Sequence, residues 1–279
     1  MLLTEAPLTS RAQREKLVRT WFETFRVPAL HVAAAPTLAC YGSGRTTALV
    51  VDVGDGVTSV TPVYEGYAVP HAVQRVDVGG RDVTAQLLWH LRKAGHTFHT
   101  SAEAEAVRVM KEAAGSVAAS PAAAEAAAAA AGGSGAGAAD YEYTLPDGVK
   151  LTLGAERFRA PEVLFQPRLL GLEADGVGEA VAAALLRSDL EMRAPLAANV
   201  QLAGGCTAVT GFGSRLLTEM RKSVPPDTPI KIWAPANRKM LAWVGGSILA
   251  SLSTFSGLCI RKAAWEEEGE RLLHRGHAV

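Results

Sequence analysis

Cysteine is scarce in this chain: Cys40, Cys206 and Cys259 are odd in number and far apart. That spacing supplies no disulfide framework and reads as the reduced thiols of a cytosolic protein. An excess of either charge is also missing. The 28 Lys and Arg balance 28 Asp and Glu, which removes any electrostatic reason to expect nucleic acid or an anionic membrane as the main partner. Long apolar runs are absent as well. The longest uncharged stretch, VGGSILASLSTFSGLCI (244–260), has 17 residues and is rich in Gly and Ser, short for a membrane span and better read as a buried helix. The opening MLLTEAPLTSRAQREK has no apolar core behind a basic start, so it does not read as a signal peptide. The expectation is a soluble protein without membrane insertion.

What is there suffices for one large domain or two lobes with their own cores, since 48% of the 279 residues are hydrophobic. Residues 11–25 place Leu17, Val18, Trp21, Phe22 and Phe25 on one helical stripe behind Ser10 as N-cap. A helix-like segment follows over 28–40, interrupted by Pro36. Residues 47–53 are a continuous apolar run ending in Gly54-Asp55-Gly56, and 58–64 form a second strand, together a hairpin. Helical patterns cover 84–94 and 101–114. The Ala-rich, then Gly/Ser-rich tract 113–139 offers no side chains for specific chemistry and reads as a helix fading into a flexible linker. A second hairpin turns at Pro146-Asp147-Gly148. Strands at 199–202 and 230–233 alternate with helices up to a helix over 245–258. The alternation predicts an α/β class with a mixed sheet.

The segment LVVDVGDGVT (49–58) carries the chemistry. A buried strand delivers Asp52 to the mouth of a sheet, and Gly54 and Gly56 let backbone amides approach an anion. An acidic residue at such a strand end can hold Mg2+ through water. On these residues alone, a phosphate hairpin and an ordinary tight turn both remain open.

The flanks decide. YGSGRTTALVVDVGDGVTSVTPVYEGYAVPHAVQRVDVGGRDVT (41–84) resembles the second phosphate loop of actin and the segment after it almost residue by residue. FETFRVPAL (22–30), ERFRAPEVLFQP (156–167) and WVGGSILASLSTF (243–255) resemble actin in the same gap-free way. The chain is identified as a member of the actin superfamily over all but the Ala/Gly tract. LRKAGHTFHTS (91–101), Ala160, SDLEMR (188–193), GFGSRLLTE (211–219) and the ending EEEGERLLHR resemble the centractin branch, the actin-related protein of dynactin.

The resemblance implies an α/β, actin-like fold of the actin/Hsp70/hexokinase type, two-lobed with the first lobe incomplete. Residues 1–42 with 241–279 are expected to resemble actin subdomain 1, 43–78 with 174–240 subdomain 3, and 79–173 subdomain 4, with subdomain 2 absent. It implies ATP or ADP with Mg2+ as cofactor, phosphates at Asp52, Gly54, Asp55, Gly56 and Val57, and Mg2+ held by Asp52 through water. Gly79, Gly80, Arg108, Lys111 and Glu112 match positions around adenine and ribose; without the resemblance they would read as a turn and a solvated helix face. Gly204, Gly205, Cys206 and Thr207 match the loop that closes over the nucleotide, and Lys239 a lysine of the adenine pocket.

Departures from the family pattern shape the functional expectation. The match begins well inside the actin fold, either through truncation or an incomplete gene model. The first phosphate hairpin therefore lies outside this sequence, and weak ATP binding is expected. The family's water-ordering glutamine and histidine align with Ala35 and Ser59, and Pro36 should distort the local helix, so turnover should be absent or slow. Ala208 and Val209 replace larger side chains near the base. Tyr41, Gly44, Thr46, Leu249 and Thr254 match a groove where helical partners dock, although Tyr41 and Leu249 read equally as core. FQPRLLGL (165–172) resembles a loop that bridges filament strands, with an exposed apolar tip expected. The function implied is a centractin-like cytoskeletal subunit in the cytoplasm, whose partners are actin-family filament subunits and dynactin or dynein components. The alternatives are a conventional-actin-like protein, a nuclear actin-related protein of a chromatin complex, or a slow ATPase of the same fold; a sugar kinase would need a substrate base that does not stand out.

Overall fold

A computed structural model describes residues 1–130 and 141–274. Its centre is a mixed sheet in which β3 (Ala48–Val53) lies antiparallel to β4 (Thr58–Tyr64) and parallel to β9 (Val200–Ala203). β10 (Ile232–Trp233) extends the β9 side, and β5 (Tyr67–Ala68) and β6 (Gln74–Val76) pair with β4. Both faces of β3 are covered. Leu49, Val51 and Val53 enter the main core, while Ala48 and Val50 pack with Ala39, Cys40 and Leu241 on the opposite side. Burial on both faces is why this strand reads as an unbroken apolar run.

A second sheet joins distant parts of the chain: β1 (Leu2–Glu5) runs parallel to β2 (Ala29–Ala34), which pairs antiparallel with β11 (Ile260–Arg261). The helix expected over 28–40 is therefore a strand followed by a helix. β2 gives way to α2 (Ala35–Gly42), with Pro36 in its first turn. Pro36 does not distort that helix, because an amide in the first turn has no intrahelical partner to lose. α1 (Arg11–Arg19) precedes α2, capped by Ser10, whose hydroxyl accepts from the Gln13 amide at 3.3 Å. A π-helical stretch, Thr20–Thr24, continues it and carries the buried Phe22 against Trp265.

On the main core lie α3 (Gly80–Lys93) and α4 (Ser101–Ala114), the latter closed by a Thr100/Glu103 capping box. α5 (Pro121–Ala130) forms within the Ala-rich tract, and Ala124 and Ala128 pack beside Phe158. Glu125 also takes two hydrogen bonds from Arg159 at 2.5 and 2.7 Å, so this part of the tract does offer specific side-chain contacts. The linker expected beyond it, 131–139, lies outside the described residues. The hairpin of β7 (Tyr141–Thr144) and β8 (Lys150–Leu153) turns at Gly148 as the sequence predicts. α6 (Glu156–Arg159) leads into a 3-10 turn, Pro161–Leu164, followed by α7 (Val177–Arg187), α8 (Leu190–Ala197) and α9 (Phe212–Ser223).

The segment expected as one buried helix over 245–258 is two: α10 (Leu241–Ser251) and α11 (Phe255–Leu258). It is also only partly buried, since Trp243, Ile248 and Leu252 are exposed. Uncharged composition reports apolarity and leaves open what covers it. α12 (Lys262–Glu268) ends the helical series, and among the described residues no helix is long and apolar enough to cross a membrane.

Candidate functional site

The candidate cleft forms where three segments close on the β3–β4 turn. The Gly54 amide donates to the Val57 carbonyl at 3.0 Å, which tightens the turn. The amides of Gly80 and Arg81, at the head of α3, donate to the Gly54 and Asp55 carbonyls at 3.0 and 2.9 Å. Cys206 adds its thiol to the Gly54 carbonyl at 3.3 Å. Lys111, buried on α4, donates to the Gly80 carbonyl at 2.8 Å and to the Thr84 hydroxyl at 2.9 Å. A Cβ on Gly80 would sit 2.8 Å from the Cys206 sulfur and 3.2 Å from the Lys111 ammonium nitrogen, so both side chains would have to shift, whereas Gly79 has to be glycine because a Cβ there would lie 2.4 Å from the Asp55 carbonyl oxygen.

Around this junction lies a cavity of about 490 Å³. Gly54 and Asp55 form one wall, Arg108, Lys111 and Glu112 a second, and Gly205, Cys206 and Lys239 a third. These residues, with Ala208 and Val209, bring ten positions singled out in the sequence to one cavity of ligand size. Val83, Pro161 and Leu164 complete it with Ala208 and Val209. The first three were missed as site residues, and only membership of the matched stretches 41–84 and 156–167 pointed to them. Arg108 and Glu112 pair at 2.5 Å on the exposed rim, with Lys239 3.9 Å from Glu112. Gly56, Val57, Gly79, Gly204 and Thr207 do not line the cavity.

Asp52 does not line it either. It falls on the even face of β3, and burial pushes its carboxyl up to about 6. No hydrogen bond or ion pair reaches that carboxylate among the described residues. Gly204, at φ 82°, lets the loop after β9 pass it; a Cβ there would lie 2.5 Å from Asp52 Oδ1. A desolvated carboxylate without a protein cation fits a hydrated Mg2+, which keeps most of its waters and needs few protein ligands. Among the described residues no group of three or more His, Cys, Asp or Glu could form a protein cage for a metal. Ser59 lies buried directly across the hairpin from Asp52, and Ala35 opens α2.

The chain matches the family described as Actin over residues 1–278. The chain belongs to the actin family. An "Actin-like protein" of Neurospora crassa is 51% identical over 274 residues, which is 98% of this chain and 71% of that protein. The actin-like α/β fold follows, and the family generally binds ATP or ADP with Mg2+.

Two surface features of this actin-family chain were also expected. α2 and α10 approach backbone to backbone, for a Cβ on Gly42 would lie 3.0 Å from the Gly245 nitrogen. Tyr41 is half-buried there and donates its hydroxyl to the Gly66 carbonyl at 2.7 Å; Leu249 is half-buried one turn beyond Gly245. Gly44, Thr46 and Thr254 are exposed. In the 165–172 segment Phe165 is buried, while Leu169 and Leu172 are exposed.

Proposed function

We propose that this chain is a centractin-like structural subunit, one that uses a nucleotide to brace its cleft and turns it over slowly or not at all. The observation that carries the reading is the convergence of Asp55, Arg108, Lys111, Glu112, Cys206 and Lys239 on one cavity, taken together with Ala and Ser in the sequence at positions 35 and 59. The amides of Asp55, Gly56 and Val57 would face phosphate, in a turn that the Gly54 amide closes on the Val57 carbonyl, and Asp52 would face Mg2+ through water. Neither Ala35 nor Ser59 carries an amide or imidazole able to orient an attacking water, and positioning is most of what a protein contributes to phosphoryl transfer.

The partner reading rests on the centractin-like details at 91–101, 188–193 and 211–219 and on exposed Leu169 and Leu172. It places the chain in a dynactin-type filament in the cytoplasm, supporting dynein-based transport. Two measurements test it. Affinity-tagged chain expressed in its native cells should co-purify with dynactin and dynein components; recovery of chromatin complexes instead would reverse the assignment. Phosphate release from ATP should stay near background, and rates matching conventional actin would refute the static role.

A further inference from the structure

A second cavity, larger than the cleft at about 670 Å³, opens on the other side of α3. The 3-10 turn Pro161–Leu164 is the wall between them: Pro161 and Leu164 face the cleft, Glu162 and Val163 the second cavity. Gln86, Trp89 and His90 line it from one stripe of α3, Phe158 from α6, and Leu169 from the rim. Its charged groups already have partners. Arg159 is held by Glu125, and Glu162 takes two hydrogen bonds from Arg215 at 2.9 and 3.0 Å.

The neutral polar groups do not. The Gln86 amide and the His90 imidazole make no hydrogen bond among the described residues. Burial and the nearby Arg159 hold His90 below its ordinary pKa, so it is neutral at pH 7. The Trp89 ring is half-exposed, edge-on to His90 at 4.8 Å, with the Lys93 ammonium 3.7 Å from its centroid. Ligand pockets are of this size and make-up: apolar and aromatic walls with a few polar groups that no other protein group engages.

We propose that this cavity is a binding site for a neutral, flat aromatic molecule carrying one hydroxyl or amide, separate from the nucleotide cleft. The ring lies among Trp89, Phe158 and Leu169, and its polar substituent meets Gln86 and His90. A charged ligand is disfavoured, because the acids and bases of the wall are already matched in pairs and its desolvation would go uncompensated.

The test is calorimetric titration of the whole chain with 5-hydroxyindole, indole-5-carboxylate and 5-aminomethylindole, which share one ring and differ in charge. The expected result is submillimolar binding of 5-hydroxyindole, at least roughly tenfold tighter than either charged analogue, as one unpaired buried charge requires. Gln86→Leu and Leu169→Asp should each weaken it at least about fivefold, as loss of one hydrogen bond or of apolar contact predicts, while Lys239→Ala at the cleft leaves it unchanged. Equal affinity for all three indoles overturns the proposal without any variant. Loss of binding in Lys239→Ala, or unchanged binding in both Gln86→Leu and Leu169→Asp, overturns it too.

Discussion

The Lys111 ammonium donates to the Gly80 carbonyl at 2.8 Å, joining the last turn of α4 to the first residue of α3 at the wall of the cleft. Lys111 is 6% exposed, and its second bond, to the Thr84 hydroxyl, holds the next turn of the same helix. Lys111→Met keeps the aliphatic stem and removes both charge-assisted bonds. It should destabilise the chain by about 2–3 kcal/mol in urea denaturation, from the hydrogen bonds lost and the carbonyl left bare. Binding of a fluorescent ATP analogue should weaken in parallel, because the head of α3 orients the Gly54–Asp55 turn. An unchanged urea midpoint would show that the contact is incidental.

Asp52 gives a pH prediction of definite sign. Burial raises its carboxyl to about 6 in the folded chain, against about 4 in an unfolded one. The folded state therefore binds the proton more tightly, and the stabilisation from the protonated form is complete below about pH 4 and lost as pH rises through about 6. Asp52→Asn removes the ionisation and should stabilise the nucleotide-free chain at pH 7 by on the order of 2–3 kcal/mol, with little effect at pH 4. Adding Mg2+ and ADP should raise the Tm of the parent chain more than that of the variant. Thermal melts at pH 4 and 7, with and without Mg-ADP, read both effects; a variant less stable than its parent at pH 7 contradicts the assignment.

These two residues also show how much the sequence made legible. The β3–β4 hairpin was read nearly to the residue because a strand buried on both faces, a Gly-Asp-Gly turn and a second strand are all local signals. β2 was read as helix because its partner β1 lies some thirty positions earlier, and parallel pairing across that distance leaves no local mark. Arg108, Lys111 and Glu112 share a helical spacing that spoke for a solvated face. Arg108 and Glu112 are on the exposed rim, yet Lys111 is buried, a difference set by α3 packing over α4. Glu125, lost in an Ala-rich tract, pairs with Arg159 thirty-four positions on, and composition says nothing of such a partner.

The buried pair of Arg215 and Glu162 anchors α9 to the 3-10 turn that separates the two cavities. Arg215 also donates to Glu219 at 2.7 Å and to the Ala118 carbonyl at 3.1 Å. Glu162→Ala leaves the guanidinium of Arg215, a residue only 3% exposed, without its bidentate partner and should cost about 3–5 kcal/mol. Arg215→Met together with Glu162→Leu should recover a large part of that loss, since an apolar pair avoids desolvating two charges. Urea unfolding of the single and double variants measures both. A double variant as unstable as Glu162→Ala would mean that the Glu219 and Ala118 contacts dominate.

Thiol chemistry tests the cleft from within. Burial pushes both Cys40 and Cys206 up to about 11, and the Cys206 thiol is further engaged with the Gly54 carbonyl. The thiolate is the reactive form, so at pH 7.5 both should alkylate on the order of a hundredfold more slowly than an unperturbed cysteine. Cys259, half-exposed beside α11, should be the one labelled quickly by iodoacetamide. Mass spectrometry of a labelling time course distinguishes the three sites. Under mild urea the cleft loops should open before the core strands, so Cys206 should gain reactivity before Cys40, which is buried on α2 against Ala48 and Val50 of β3. Mg-ADP should delay that gain for Cys206 alone. A delay shared equally by Cys40 would report general stabilisation, and no delay at all would place the nucleotide elsewhere than against the Gly54–Cys206 contact.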